Sequence, residues 1–265
     1  MTPSNVLLFL PDEHNPWVAG FLGHPCVRTP NLDALAMSGT VFTRAWTPSP
    51  ICVPARASLA TGRYVHEHRC WDNALAYDGS QLSWMQELTQ AGVLVDSIGK
   101  LHFAGPDAPV GFRQQIEAVH IDAGIGQVWG SVRNPLPERS GLPKLFDRMG
   151  AGESDYNRFD ARVTNAACAW LREHARDTTP WALFVGLVAP HFPLVVPQRH
   201  LDRVLADPSL EACLPSSIDE APHHPWVARM IAFQDFDAAL GSDEDRKSTR
   251  LNSSHTDISR MPSSA

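Results

Sequence analysis

Cys52 and Arg56, in the run CVPAR, have the types and spacing for nucleophilic chemistry at the start of a helix. Residues Ala55–Thr61 are predicted to be helical until Gly62, so Cys52 would lie just before the helix. The free N–H groups and the dipole of a helix N-terminus favour an oxyanion there. Arg56, one turn into the helix, adds a fixed cation that can bond the nucleophile and orient it. The alternative, more common for an isolated cysteine, is a buried structural thiol.

Asp12 and Glu13 follow the apolar run Asn5–Leu10, which we predict to be a buried parallel strand. Ligands of open α/β sheets gather at the carboxyl ends of the strands. Carboxylates at that edge suit a hard divalent cation such as Ca²⁺ or Mg²⁺. We therefore expect Asp12 to be a metal ligand, whereas Glu13 is either a second ligand or only its neighbour.

Lys100 and His102 come after the predicted strand Val93–Ile98. Their alternating spacing could place both side chains on one side of an extended segment. A Lys–His pair at a strand end is a candidate for anion binding and proton transfer. The run His66–His68 (HEH), in contrast, lacks the helical spacing of a zinc site, and we interpret it as exposed loop polarity.

The run Cys52–Arg63 (CVPARASLATGR) resembles the signature of type I sulfatases, C-x-P-x-R followed by T-G-R. The resemblance covers Asn5–Gly241 and is nearest to choline sulfatases at Gly99–Asp107. It implies an alkaline-phosphatase-like α/β/α sandwich with a largely parallel central sheet. It also implies that a formylglycine-generating or other maturation enzyme oxidises Cys52 to formylglycine. One hydroxyl of the hydrated aldehyde would attack the sulfur of a small-molecule sulfate ester.

The same resemblance implies a divalent cation, with Ca²⁺ favoured and Mg²⁺ or Mn²⁺ as alternatives. Its ligands here would be Asp12, Glu13 and residue 52. The family commonly has Asp-Asp at the end of the first strand, so Glu13 is a departure from its pattern. The family's second pair of metal ligands lies on a later strand, beyond the residues that the resemblance covers.

The remaining site residues are also assigned by resemblance. Lys100 would bind the sulfate oxygens, and His102 would take a proton from the covalent intermediate. Asn73 resembles an asparagine that contacts the sulfate. His191 resembles a second active-site histidine that bonds the sulfate or protonates the leaving oxygen. The residue-level alternatives are a turn-forming Asn73 and a capping or core His191.

The elements that must position these residues alternate between strands and helices, which favours an α/β sandwich. We predict strands at Asn5–Leu10, Val41–Ala45, Val93–Ile98 and Trp181–Ala189. We predict helices that begin at Pro30 after Thr29, at Ala55, after a Ser80 cap, at Asp160 and at Val227. The Gly- and Pro-rich region Gly105–Gly152 is predicted to be loops.

The composition bounds the class of protein. A chain of 265 residues with 43% hydrophobic content suits one large domain, and a net charge of -7 argues against a general nucleic-acid partner. No apolar run approaches the roughly 18 residues that span a membrane, so no membrane partner is expected. Five widely spaced cysteines without a CxxC pair fit reduced thiols. With no secretory signal at the N-terminus, we expect a cytoplasmic protein. Nothing in the sequence indicates the oligomeric state.

The last segment changes character abruptly, because Ser242–Ala265 contains no aromatic residue. The runs DRKSTRLNSSH and ISRMPSSA back-translate into a widely used sequencing adapter. We therefore expect residues 1–244 to be the N-terminal part of a sulfatase catalytic domain, C-terminally truncated. Residues 245–265 would be a disordered read-through tail that is not native. An ordinary disordered polar tail is the alternative.

Three other functions stay open at this point. A phosphonate monoester or phosphodiester hydrolase would share the fold and the nucleophile. A non-catalytic binding homologue would keep Cys52 as a thiol. A purely structural module would not need this density of reactive residues.

We predict that the 265-residue chain is inactive as a sulfatase, because the second pair of metal ligands is not found in it. The chain, matured at Cys52, is assayed with an aryl sulfate, and no turnover above the uncatalysed rate is expected. Clear turnover would contradict the prediction.

Overall fold

The computed structural model describes residues 5–15, 18–121, 124–126, 134–135 and 149–209, with positions 224, 225, 228, 229 and 233. Apart from three of these positions, the predicted helix Val227–Leu240 lies outside the described residues, as does the predicted tail 245–265. The chain divides into two compact units. The first contains residues 1–12, 45–129 and 158–188, and the second contains residues 13–44, 130–157 and 189–265.

The described elements alternate along the chain much as the sequence predicts. The strands are β1 (Val6–Leu10), β2 (Leu94–Lys100), β3 (Gln114–Val119), β4 (Gly150–Ala151), β5 (Trp181–Gly186) and β6 (Val195–Val196). The helices are α1 (Pro30–Ser38), α2 (Cys52–Thr61), α3 (Val65–His68), α4 (Trp84–Gln90), α5 (Asp155–His174) and α6 (Gln198–Leu205), with a 3₁₀ turn at Gly20–Leu22.

The first unit is built on a four-stranded sheet in the order β1-β5-β2-β3, and every pair in it is parallel. Strand β5 is buried along its whole length, and its side chains alternate between two cores. Ala182 and Phe184 join the cluster that contains Val53 and Ala57 of α2. The other cluster contains residues of α5 and the β5 side chains Trp181, Leu183 and Val185. Helices therefore cover both faces of a parallel sheet, which confirms the predicted α/β/α sandwich.

Strand β1 is less buried than its apolar sequence predicts. Among the described strands it pairs only with β5, and Val6, Leu7 and Phe9 are each about half exposed. In the second unit, α1 begins at Pro30 as predicted, but none of its residues is buried. The apolar residues predict the strand β1 and the helix α1, but they do not predict how much of either element is buried.

Several predicted elements are wrong in detail. Helix α5 begins at Asp155 rather than Asp160, and β5 ends at Gly186 rather than Ala189. Residues 41–45 form no strand, and the region predicted as loops contains β3, which lies parallel to β2. Helix α4 is capped by Ser83 rather than Ser80: Ser83 Oγ accepts the Gln86 N–H at 3.1 Å and the Gln86 side chain accepts the Ser83 N–H. This reciprocal capping box is a stronger start signal than a lone serine.

In the second unit, the described elements are short. Strands β4 and β6 form a parallel pair. Thr29 forms two hydrogen bonds at the start of α1. The Thr29 hydroxyl accepts the Gly20 N–H at 2.8 Å and donates to Asp33 Oδ1 at 2.7 Å.

Among the described residues, no helix is both long and apolar enough to cross a membrane. The described cysteines, Cys26, Cys52, Cys70 and Cys168, are free of disulfides.

Two glycines let β2 and β5 approach closely at their carboxyl ends. Gly99 lies opposite Gly186 in the parallel register. A Cβ atom on Gly99 would lie 2.1 Å from the Gly186 carbonyl oxygen, and Gly99 has a φ of +97°. A Cβ atom on Gly186 would lie 2.3 Å from the Lys100 carbonyl oxygen. Side chains are therefore excluded at the point where β2 delivers Lys100.

Asp96 is a fully buried acid that ties the sheet to α5. Its carboxylate forms a two-point ion pair with Arg113 and accepts the Trp170 indole N–H at 2.9 Å. Because a buried carboxylate is costly without partners, these three side chains must stay together in the folded state.

We predict that Asp96→Ala lowers the free energy of unfolding by about 2–4 kcal/mol, since it leaves the Trp170 N–H unpaired beside a cavity. Urea unfolding monitored by circular dichroism measures the change. The matched control is Arg162→Ala, which removes a half-exposed ion pair to Glu117 and costs under about 1 kcal/mol. Equal losses for the two variants would contradict this account.

Candidate active site

Cys52 is the first residue of α2, which begins three residues earlier than the predicted start at Ala55. It follows Ile51, which has extended backbone angles and no side chain able to cap a helix. The Cys52 thiol donates to Asp12, with Sγ and Oδ1 3.9 Å apart. Asp12 follows β1, so the sheet and α2 bring the predicted nucleophile and the predicted metal ligand together.

The Asp12 carboxylate is the centre of a small charge cluster in the first unit. Its Oδ2 atom forms an ion pair with Lys100 Nζ, and Arg56 Nη2 lies 3.6 Å from the same oxygen. All three side chains are buried, with Lys100 only 2% exposed. Two cations around one carboxylate leave an excess positive charge, which suits an anionic ligand.

Arg56 is further held by the backbone of β2. Its Nη1 donates to the Lys100 carbonyl oxygen at 2.6 Å. Burial lowers the pKa of Arg56, and the negative charge of Asp12 opposes that shift. A guanidinium is protonated at any physiological pH, so Arg56 is a permanent, immobile cation next to Cys52.

The start of α2 has fewer unbonded N–H groups than the sequence predicts. Pro54 has no N–H, and the Ala55 N–H bonds to the Ile51 carbonyl oxygen at 3.0 Å. The Val53 N–H donates to Asn73 Oδ1 at 3.0 Å. Most first-turn donors are thus already used, and the side chains of Arg56 and Lys100 are the main sources of positive charge.

Lys100 and His102 do not lie on one continuous extended segment. Lys100 ends β2, whereas His102 has a φ of +55°, in the left-handed region. The N–H groups of Leu101 and His102 both donate to the Val119 carbonyl oxygen, at 3.0 and 2.8 Å. The alternation predicted from the spacing is therefore wrong, because the chain turns at this point to stay bonded to the end of β3.

The other two predicted site residues belong to the second unit. Glu13 Oε1 lies 3.7 Å from His191 Nε2. The other ring nitrogen of His191 bonds to the Phe192 carbonyl oxygen at 2.9 Å, and the edge of its ring meets Tyr156. Both side chains are partly exposed. The pairing of Glu13 with a histidine was not indicated by the sequence.

A hard divalent cation fits the chemistry of Asp12. Lys100 and Arg56 pair with Asp12 through Oδ2, so Oδ1, which faces Cys52 Sγ, is the oxygen that could serve as a ligand. Carboxylate oxygen is the ligand type that Ca²⁺ and Mg²⁺ prefer. Glu13, in the second unit, offers a further carboxylate of the same type.

His68 is buried, whereas the sequence predicts an exposed loop at His66–His68. It ends α3 and is 5% exposed. Its Nδ1 accepts the Cys70 N–H at 3.1 Å, so Nε2 carries the proton and donates to Ser58 Oγ at 2.8 Å. Ser58 lies on α2, so His68 fixes the helix that carries Cys52 and Arg56.

The fold and these side chains define a class of protein: a parallel α/β sandwich with a partly buried cysteine, an acid and two cations near its strand ends. The family model described as Sulfatase matches residues 4–209, and the chain belongs to that family. Sulfatases generally use a divalent cation and a formylglycine.

Similar proteins agree with this membership. The choline-sulfatase of Rhizobium meliloti (strain 1021) is 30% identical over 208 residues, which cover 75% of this chain and 40% of that protein. Arylsulfatase K of Gallus gallus is 29% identical over 188 residues, which cover 71% of this chain and 33% of that protein. The chain therefore spans well under half the length of these relatives.

A solved structure of similar fold is the phosphonate monoester hydrolase of Agrobacterium radiobacter. It matches with a TM-score of 0.61 at 20% identity, covering 96% of this chain and 56% of that one. This likeness concerns the fold alone, and it agrees with the predicted alkaline-phosphatase-like architecture.

We predict that protonation of His68 destabilises the first unit. Burial lowers the pKa of His68 from the ordinary value of 6.5. The unfolded chain therefore binds this proton more readily, so the stability that depends on neutral His68 is full above about pH 6.5 and is lost as the pH falls below it. Urea unfolding at pH 7.5 and 5.5 measures the loss.

The control for this prediction is His68→Gln, which keeps a donor for Ser58 and cannot titrate. The loss of stability between the two pH values should be smaller in the variant than in the parent chain. Identical losses would mean that other groups cause the effect.

Proposed function

We propose that these residues serve the hydrolysis of a small-molecule sulfate monoester, with formylglycine at position 52 as the nucleophile. The observation that carries the proposal is the cluster in which Cys52, Arg56 and Lys100 share the Asp12 carboxylate. A nucleophile beside two buried cations suits attack on an ester of a strong oxyanion, because the cations neutralise charge that develops on its oxygens.

The proposal gives a role to each predicted site residue that lies in the first unit. Arg56 is held rigidly by Asp12 and by the Lys100 carbonyl group, so it can orient the hydroxyl of residue 52. The Lys100 ammonium group binds sulfate oxygens, and Asn73 donates from its amide. His102 takes the proton that must leave the remaining hydroxyl of the intermediate so that the aldehyde re-forms and sulfate departs.

Asp12 would hold the divalent cation, which we propose to be Ca²⁺, with Mg²⁺ or Mn²⁺ as alternatives. When bound, the cation lowers the pKa of the attacking hydroxyl and adds positive charge near the sulfate. Glu13 as a further ligand, and His191 as a residue that contacts the sulfate or the leaving oxygen, stay predictions that rest on the family resemblance.

Maturation of Cys52 is the first test of the proposal. The chain is co-expressed with a formylglycine-generating enzyme, and we expect the mass of the Cys52 peptide to fall by about 18 Da. The peptides of Cys70 and Cys168 serve as internal controls and should keep their masses. Burial raises the pKa of the Cys70 thiol to about 11, so that thiol is also chemically inert. An unchanged Cys52 peptide would favour the non-catalytic binding homologue.

The choice of substrate is tested by parallel assays with an aryl sulfate and an aryl phosphonate monoester. The assays use a full-length gene product that contains these residues, matured at position 52. Faster turnover of the sulfate ester supports the proposal. A preference for the phosphonate would reassign the site to the related hydrolases.

A further inference from the structure

The start of α2 needs a partner that its own sequence does not provide. A helix leaves its first N–H groups without intrahelical acceptors, and Ser, Thr, Asp or Asn at the N-cap normally supplies one. Ile51 occupies that position here and has no side-chain acceptor. The Ile51 N–H itself is bonded to Ser49 Oγ at 3.3 Å. Pro54 has no N–H, so Val53 carries the first-turn amide that a cap would serve.

Asn73 supplies the acceptor from outside the helix. Its Oδ1 atom accepts the Val53 N–H at 3.0 Å across 20 positions of sequence. Because an N–H donor requires the oxygen end of the amide, the orientation of the Asn73 side chain is fixed by this bond. Its NH₂ group then remains for other acceptors.

The loop that carries Asn73 is itself held in place. Asp72 Oδ1 accepts the Ala74 N–H at 2.8 Å, and the Ala74 carbonyl oxygen accepts the Gly126 N–H at 3.0 Å. A Cβ atom on Gly126 would lie 2.1 Å from the Asn73 carbonyl oxygen, so the two segments are in close backbone contact. Because its loop is held in place, Asn73 can define the position at which α2 begins.

We propose that Asn73 is a positioning residue that caps α2 through Val53 and thereby fixes residue 52 at the helix start. The inference rests on the proposed function only in taking residue 52 as the nucleophile. A local cap at position 51 would bring a polar side chain beside residue 52, where it would compete with a bound anion. The remote cap satisfies the Val53 amide without adding a group at position 51.

The test compares three variants of the 265-residue chain by amide hydrogen exchange and backbone NMR. Asn73→Ala removes the acceptor, and Asn73→Asp retains it. Ser83→Ala, the control, removes the cap of α4 in the same unit together with the bond from Ser83 Oγ to the Val110 carbonyl oxygen. The Gly62 N–H, bonded to the Ser58 carbonyl oxygen at 2.8 Å at the other end of α2, is the internal reference.

In Asn73→Ala we expect the protection of the Val53 amide to fall by about fivefold relative to that of Gly62, the loss typical of one helix cap. The Cys52 Cα chemical shift should move from its helical value towards the coil value. Asn73→Asp should restore both quantities. Ser83→Ala should lower the melting temperature by about 2–4 °C without changing either one.

The proposal is overturned if Asn73→Ala leaves the Val53 protection ratio and the Cys52 shift unchanged, or if Asn73→Asp loses as much as the alanine variant. It is also overturned if Ser83→Ala changes the Val53 protection ratio and the Cys52 shift as much as Asn73→Ala does, because the effect would then be a general loss of stability. None of these readouts depends on turnover or on formylglycine. A failure of the proposed function is therefore distinguishable from a failure of the cap.

Discussion

The Asp12 carboxylate is largely shielded from water, so its negative charge must be compensated by charged side chains of the first unit. The group is 8% exposed and follows the strand β1. A buried anion without partners would cost several kcal/mol. Lys100 from the end of β2 and Arg56 from α2 provide the positive charge, and the Cys52 thiol donates to the same carboxylate. One electrostatic constraint thus joins two strand ends to helix α2.

This arrangement shows which groups near Asp12 carry fixed positive charge. The sequence suggested a helix N-terminus with free N–H groups, but Pro54 removes one donor and the Val53 and Ala55 amides already have acceptors. Fixed cationic side chains carry the positive charge instead. Such charges are pre-organised, because Arg56 is bonded to the backbone of Lys100 before any ligand arrives.

Much of the architecture could be predicted from periodicity, because apolar runs such as that of β5 and the amphipathic helix α5 have strong local signals. The signature around Cys52 likewise predicts Cys52 and Arg56 as site residues, and the structure brings both side chains to Asp12. Strand β3 escaped prediction because its sequence, QQIEAV, is polar and becomes a strand only by pairing with β2. His68 escaped prediction because its burial depends on Ser58 and Cys70, which local pattern cannot place in space. Backbone turns such as that at His102 are likewise set by tertiary hydrogen bonds.

The paired glycines at the ends of β2 and β5 have a consequence for how this protein could change over time. Neither residue has any chemistry of its own, yet a methyl group on Gly186 would press on the Lys100 carbonyl oxygen that accepts from Arg56. The tolerance of the scaffold to mutation is therefore uneven. Substitutions on the exposed faces of α1 and β1 meet no such steric conflict, whereas any side chain at Gly99 or Gly186 collides with the backbone of the neighbouring strand.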